Sequence, residues 1–182
     1  MIYVIRHGET EWNSQDRVLG RTDIPLNEVG RSQAAAAAAK ASELQIGRIL
    51  TSPLSRAYET ARIVSSAIGA RLEICDALIE MDFGLHEGQP RKDPSYQKAK
   101  RDYFARYEGG ESFFDVVARI YPLIAELEVS GENVLLSTHN GICRVICSYY
   151  EDMGNEDFVS FAQRNCEIRA YEPRNRRIKT VL

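Results

Sequence analysis

The chain is poor in the residues that mark specialised protein classes. It has four cysteines in 182 residues, Cys75, Cys143, Cys147 and Cys166, and no CxxC pair. A chain this long with so few cysteines is not a disulfide scaffold, so reduced and mostly buried thiols are expected. Histidine is scarcer still. His7, His86 and His139 are the only three and include no i, i+4 pair, so no metal site is expected. Long apolar runs are also missing. The opening run, Ile2 to Ile5, is shorter than a signal-peptide core and has no basic region before it. No stretch approaches the ~18 apolar residues of a membrane span, so a cytoplasmic protein without a membrane partner is expected. Finally, 23 Lys and Arg against 26 Asp and Glu leave a net charge of −3. That lacks the basic excess of phosphate-backbone binders and argues against a nucleic-acid partner.

What remains is an ordinary globular composition, 44% hydrophobic and 27% charged. At ~150 residues per domain, a single domain over residues 1–182 is expected, with enough chain to bury a real core. Met1 to Ile5 reads as a strand buried on both faces, and the turn formers from Asn13 to Gly30 read as loop. Asn27 can cap a helix that carries the six alanines Ala34 to Ala39 and reaches about Glu43. Ile46 to Leu50 predicts a second strand, followed by a helix to about Ile68 with Ser52 as cap and Pro53 as first residue. Arg71 to Cys75 is a third strand candidate. Asp76 to Gly110 is the least regular stretch, with a charged helical patch near Tyr96 to Tyr107.

Ser112 and Asp115 resemble a capping box ahead of a helix whose stripe is Phe113, Val117, Ile120, Ile124 and Leu127, with a potential kink at Pro122. Asn133 to Leu136 predicts a fourth strand and Ile142 to Tyr150 a helix. Glu167 to Tyr171 and Arg177 to Val181 are two short strands around a turn at Pro173 to Asn175. The alternation of strand and helix implies a three-layer α/β/α sandwich with a mainly parallel central sheet.

Three of these strands end in unusual polar residues: Arg6 and His7, Thr51 and Ser52 with Arg56 one turn on, and His139. The carboxyl ends of parallel strands line one crevice, so these segments are expected to converge. Two guanidiniums imply an anionic ligand, matched better by their rigid bidentate donors than by lysines. A neutral imidazole beside them can attack phosphorus in line. The leaving alcohol then needs a proton, and Glu80, Asp82 and Glu87 are all candidates to supply it. The basic residues Arg91, Lys92, Lys98, Lys100, Arg101 and Arg106 read as a solvated helix face, the alternative being that one or two of them, or Arg21, reach over the pocket and read the rest of the substrate.

The segments RHGETEWN from Arg6, GRTDIPLNEVG from Gly20, TSPLSRAYETA from Thr51 and STHNGICR from Ser137 together resemble the histidine phosphatase superfamily, the phosphoglycerate-mutase-like proteins. The resemblance covers nearly the whole chain and departs at Asn140, where relatives usually have glycine. It implies His7 as the phosphorylated nucleophile, Arg6 and Arg56 as phosphate clamps, Asn13 as a further phosphate contact and His139 as the second imidazole. It also selects Glu80, at the head of EMDFG, as general acid and base. Branches that use aspartate carry it directly after the second histidine, where this chain has Asn140. Thr10, Gly20 and Arg21 are further candidates for substrate contact, and a specificity segment is expected at about 82–110.

The activity so implied is hydrolysis of small-molecule phosphate monoesters without metal or other cofactor. Mutase activity and non-catalytic phospho-ligand binding are the alternatives. The mutase branch has E-R-H-Y-G and a long insert where this chain has EMDFG and a short segment. Sugar phosphates, phosphoserine, a nucleotide-loop phosphate of cobalamin synthesis and phosphoglycerates all stay open as substrates.

Overall fold

The computed structural model describes residues 1–173. The five strands are β1 (Ile2–Arg6), β2 (Arg48–Thr51), β3 (Arg71–Ile74), β4 (Val134–Thr138) and β5 (Ile168–Tyr171). They form one sheet in the order β3-β2-β4-β1-β5, parallel except for β5, which pairs antiparallel with β1. The apolar residues of β1 alternate between the two faces. Ile2 and Val4 join one core, and Tyr3 and Ile5 join the other. Both faces are therefore covered, as an all-buried parallel strand requires.

One face packs against α2 (Glu28–Ala41) and α3 (Ser55–Ile68), the other against α5 (Phe113–Ser130) and α6 (Asn140–Tyr150). This is the expected three-layer sandwich. The alanine run explains the first contact, because Ala34, Ala37, Ala38 and Ala41 are buried and small enough for close approach to α3 and the sheet. Asn27 accepts from the Gly30 N–H as cap of α2, and Ser112 with Asp115 forms the capping box of α5. Helix α5 runs through Pro122 as one element. All four cysteines are free, with Cys143 and Cys147 buried on α6 and Cys75 and Cys166 partly exposed.

Several boundaries differ from the sequence reading. The Asn13 to Gly30 stretch opens on the end of a short helix, α1 (Glu11–Ser14), where Thr10 and Asn13 form a capping box that needs no apolar period. Helix α3 starts later than expected, at Ser55 with Leu54 as N-cap, so the Ser52 hydroxyl accepts from the Leu54 N–H at 3.3 Å and meets His139 instead of capping the helix. The Ser55 N–H turns to Asp23, whose Oδ1 accepts from it at 2.9 Å and from the Ser55 hydroxyl at 2.8 Å. The helical patch shrinks to α4 (Pro94–Ala99), which Asp93 caps. A further helix, α7 (Asn155–Ser160), carries too few apolar residues to announce itself. Strand β4 starts one residue later and ends two residues later than expected, and α6 starts at Asn140. The suggested strand Arg177 to Val181 lies outside the described residues, as does part of the turn before it.

Register levels the strand ends. Arg6 pairs with Thr138 and Thr51 with Ser137, so His7, Ser52 and His139 leave the sheet side by side. The loop after β1 also lies directly on the start of α2. A Cβ on Gly8 would overlap the Gly30 backbone, and one on Gly30 would overlap the Glu9 carbonyl. Gly30→Ala should therefore destabilise the fold by about 1–3 kcal/mol despite alanine's better helix propensity. At ~2–4 °C per kcal/mol for a chain of this size, thermal denaturation should show a drop of several degrees. Gly47→Ala, with nothing within 4 Å of its Cβ, should leave Tm unchanged or slightly raised.

Candidate active site

His7 is buried just past the end of β1, and its Nδ1–H donates to the Gly8 carbonyl at 2.7 Å. That bond puts the proton on Nδ1 and leaves the Nε2 lone pair free. Burial first, and then the Arg56 and Arg6 charges, hold the ring well below the ordinary imidazole range, so it is neutral at pH 7. His139 stands beside it with ring centroids 5.1 Å apart and is held neutral in the same way, by burial and then the Arg56 charge. Arg56 Nε–H donates to His139 Nδ1 at 3.2 Å. His139 therefore carries its proton on Nε2, which meets Ser52 Oγ at 2.8 Å. Ser52 was missed as a site residue because Ser-Pro before a helix reads as a cap.

Arg56 has no solvent exposure. Its Nη2 donates to the Gly20 carbonyl at 2.6 Å and its Nη1 to the Thr22 carbonyl at 3.0 Å, with Asp23 4.0 Å away. Burial pulls its pKa down to about 10, so it stays charged at pH 7. Arg6, likewise lowered to about 10 by burial, donates from Nη1 to the Gln163 carbonyl at 2.8 Å, while its buried Nε has no partner. A buried guanidinium donor with no protein partner, on the residue next to the His7 imidazole, suits an anion.

The three carboxylates separate by geometry. Glu80 is 4% exposed and accepts from the Met81 N–H at 2.8 Å and, across to the start of α6, from the Gly141 N–H at 3.1 Å. A Cβ on residue 141 would come within 2.6 Å of Glu80 Oε1, so glycine is what admits the carboxyl. Burial pushes the Glu80 carboxyl above the usual range despite these donors. Asp82 instead accepts from the Gly84 N–H at 2.9 Å, with Arg21 at 3.9 Å. Glu87 accepts from the Arg21 and Thr22 N–H groups, each at 2.7 Å, and from the Thr22 hydroxyl.

The remaining candidates sit further back. Thr10 is fully buried, and its N–H occupies Asn13 Oδ1. Gly20 contributes its carbonyl to Arg56, while the Arg21 guanidinium is paired with Glu111 at 2.9 Å. Arg119 of α5, which sequence reasoning missed, donates to the Ala77 and Ile79 carbonyls and steadies the turn ahead of Glu80. Gln163, also missed, is fully buried and joins the Val4 carbonyl, Asn140 and Arg6 into one network. Neither Arg119 nor Gln163 falls in a motif.

Glu80, Asn140 and Gly141 line a cavity of about 220 Å³ with Tyr96, Arg91, Lys100 and Arg144 among its other walls. The basic segment divides between its two readings. Lys92, Lys98, Arg101 and Arg106 are exposed, but Arg91 and Lys100 are partly buried and face the cavity. Segment 82–110 is organised by a cluster of Phe83, His86, Tyr96 and Tyr107 with ring centroids 5.3 to 6.2 Å apart, which assigns His86 a packing role. Among the described residues no group of three His, Cys, Asp or Glu is arranged to hold a metal ion, and no helix is long and apolar enough to cross a membrane.

Residues 2–182 match the sequence profile of the Histidine phosphatase superfamily (branch 1). A 6-phosphofructo-2-kinase/fructose-2,6-bisphosphatase of Caenorhabditis elegans is 36% identical over 160 residues, which cover 83% of this chain and 34% of that relative. The chain thus spans about a third of that protein's length. "Probable phosphoglycerate mutase GpmB" of Salmonella choleraesuis (strain SC-B67) is 32% identical over 147 residues, 76% of this chain and 68% of the relative. Among solved structures, a mycobacterial glucosyl-3-phosphoglycerate phosphatase superposes with a TM-score of 0.81 at 30% identity, covering 92% of this chain and 90% of the other. On fold, motif order and profile together, the chain belongs to the histidine phosphatase superfamily, branch 1.

Proposed function

We propose that the protein hydrolyses small-molecule phosphate monoesters, without a metal, through a phosphohistidine on His7. The observation that carries this reading is the free, neutral Nε2 of His7 beside the orphaned Nε of Arg6 and the buried Arg56. The His7 Nε2 lone pair attacks phosphorus in line, an N–P bond forms and the P–O ester bond breaks. Glu80, which burial shifts towards its protonated form, gives its proton to the leaving alkoxide. Water then attacks the phosphoryl group and passes a proton to the Glu80 carboxylate, and the N–P bond breaks to release phosphate. The phosphoryl oxygens take the spare guanidinium donors of Arg6 and Arg56, the Asn13 amide and, in exchange for Ser52, the His139 Nε2–H. The relatives named are a 6-phosphofructo-2-kinase/fructose-2,6-bisphosphatase, a probable phosphoglycerate mutase and a glucosyl-3-phosphoglycerate phosphatase, and their names support a phosphatase-type reading.

The reading is tested by phosphate release from a panel of monoesters in excess chelator, with wild type and His7→Ala. Turnover that resists chelator and disappears in the variant is expected. Phosphate binding without release from any ester would favour a binding protein, and isomerised phosphoglycerate would favour a mutase.

A second expectation concerns pH. His7 must be unprotonated and Glu80 protonated, so kcat/KM rises as His7 loses its proton and falls as Glu80 loses its own. Burial lowers the first pKa and raises the second, so the acid limb should lie below the ordinary imidazole value of ~6.5 and the alkaline limb above the carboxylate value of ~4.3. Glu80→Gln should abolish the alkaline limb and lower kcat ~10²–10⁴-fold on an alkyl phosphate. The loss should be smaller on an aryl ester whose leaving group needs no proton.

Glu87 acts at one remove. It fixes residues 21 and 22, and the Gly20 and Thr22 carbonyls beside them hold Arg56. Glu87→Ala should therefore weaken inhibition by vanadate and lower kcat/KM about tenfold while leaving both pH limbs in place, with partial rescue by Glu87→Gln, which keeps one acceptor oxygen. A lost alkaline limb would instead make Glu87 the acid.

A further inference from the structure

Glu80 sits on backbone that belongs to neither strand nor helix. β3 ends at Ile74, one 3₁₀ turn covers Asp76–Leu78, and residues 79–83 run as irregular chain. Of the two N–H groups that the Glu80 carboxyl accepts from, that of Met81 belongs to its own neighbour and moves with it. Only the Gly141 bond, at 3.1 Å, ties the carboxyl to another element.

Other side chains hold the backbone on either side. The Thr138 hydroxyl donates to the Leu78 carbonyl at 2.8 Å. Arg119 reaches over from α5 and meets three further carbonyls. Its Nη1 donates to those of Ala77 and Ile79, the latter at 2.8 Å, and its Nη2 lies 3.5 Å from that of Glu80. The same Nη2 meets Glu111 Oε2 at 3.3 Å, and that oxygen accepts from the Asp82 N–H at 3.0 Å. Glu111 Oε1 accepts from Arg21 Nη2 at 2.9 Å. One ion pair therefore grips the chain both before and after Glu80.

The Arg119 and Glu111 side chains are mostly buried. A pair withdrawn from water gains little net stability, because desolvation offsets its attraction, and its best attested use is to fix one arrangement among several. The arrangement at stake is that of a carboxyl whose proton must come within ~2.6–3.2 Å of the leaving oxygen. We infer that Arg119, with Glu111 behind it, is a positioning residue for the proton transfer, holding residues 77–82 so that the Glu80 carboxyl faces the leaving group. The inference rests on the phosphatase reading and adds to it two residues that act through Glu80. The Arg119 charge itself favours the ionised form of Glu80. Its loss keeps the carboxyl protonated to higher pH, so a slower reaction in its absence reports position rather than protonation.

The test uses leaving groups that differ in their need for a proton. Arg119→Gln should lower kcat/KM about tenfold or more on an alkyl phosphate, but about threefold or less on 4-nitrophenyl phosphate. In the Glu80→Gln background the same substitution should cost nothing further on the alkyl ester, since a positioning residue has no effect once the group it positions is gone. Arg119→Lys, which keeps the charge and part of the donor set, should recover part of the alkyl-ester rate. Equal losses on the two esters, or a loss of the same size with and without the Glu80 carboxyl, make Arg119 a structural residue and overturn the inference. If Arg119→Gln does not fold, Glu111→Gln is read in the same cycle by the same criteria, since it keeps the shape and removes the charge that engages Arg119. Glu80→Gln alone separates the two levels. An alkyl-selective loss there and none in Arg119→Gln overturns only the positioning role. No alkyl-selective loss in Glu80→Gln, or no turnover of any ester, overturns the phosphatase reading as written and the inference with it.

Discussion

Arg56 is a guanidinium with no exposure to solvent, and a cation in that position must be given acceptors or it opposes folding. The acceptors come from far along the chain. The Gly20 and Thr22 carbonyls and the Asp23 carboxylate belong to the loop before α2, and His139 follows β4. One buried charge therefore ties that loop, the start of α3 and the end of β4 together. It also sets which nitrogen of His139 carries the proton. Asp23 serves twice, facing Arg56 and capping α3, so the order of the loop and the start of the helix are linked.

Around this cation the same physical cause has opposite consequences. Burial depresses the two imidazoles and raises the Glu80 carboxyl, because in each case it disfavours the charged form. Arg56 and Arg6 add to the depression at His7 and His139, whereas at Glu80 the Met81 and Gly141 N–H groups and then the Arg56 and Arg119 charges only partly offset the rise. A neutral base and a carboxyl shifted towards its protonated form thus stand in one site, the separation that acid and base chemistry there requires. The Gly141 N–H brings Glu80 to the start of α6 within reach of that field, and the absence of a side chain at 141 makes the approach sterically feasible.

Much of this was legible in the sequence where the signal is local. The β-branched run of β1, the alanines of α2, and the caps at Asn27 and Ser112 specify their elements through propensity and nearby hydrogen bonds. Arg6, His7, Arg56 and His139 could be grouped because parallel strands deliver their carboxyl ends to one edge, and the register does so. Helices α1 and α7, at four and six residues, fall below the length at which periodicity speaks. The Ser52 contact with His139 was not legible because a Ser-Pro pair before a helix is a local capping signal, whereas that contact depends on where β4 ends.

The sequence by itself determined the layer order, the family and the residue types gathered at the strand ends, since these depend on patterns within a few residues or on motifs in fixed order. Residue chemistry alone left Glu80, Asp82 and Glu87 equivalent, and within the sequence only the resemblance to the family selected Glu80. The tertiary structure separated them, burying one beside α6, turning one onto its own loop and setting one to hold the Arg56 loop. It likewise turned Arg91 and Lys100 inward toward Arg144 while their neighbours Lys92 and Lys98 face solvent. Charge and burial at a position depend on what the rest of the chain packs against it, and that information is distributed over residues too distant in sequence to be read as a motif.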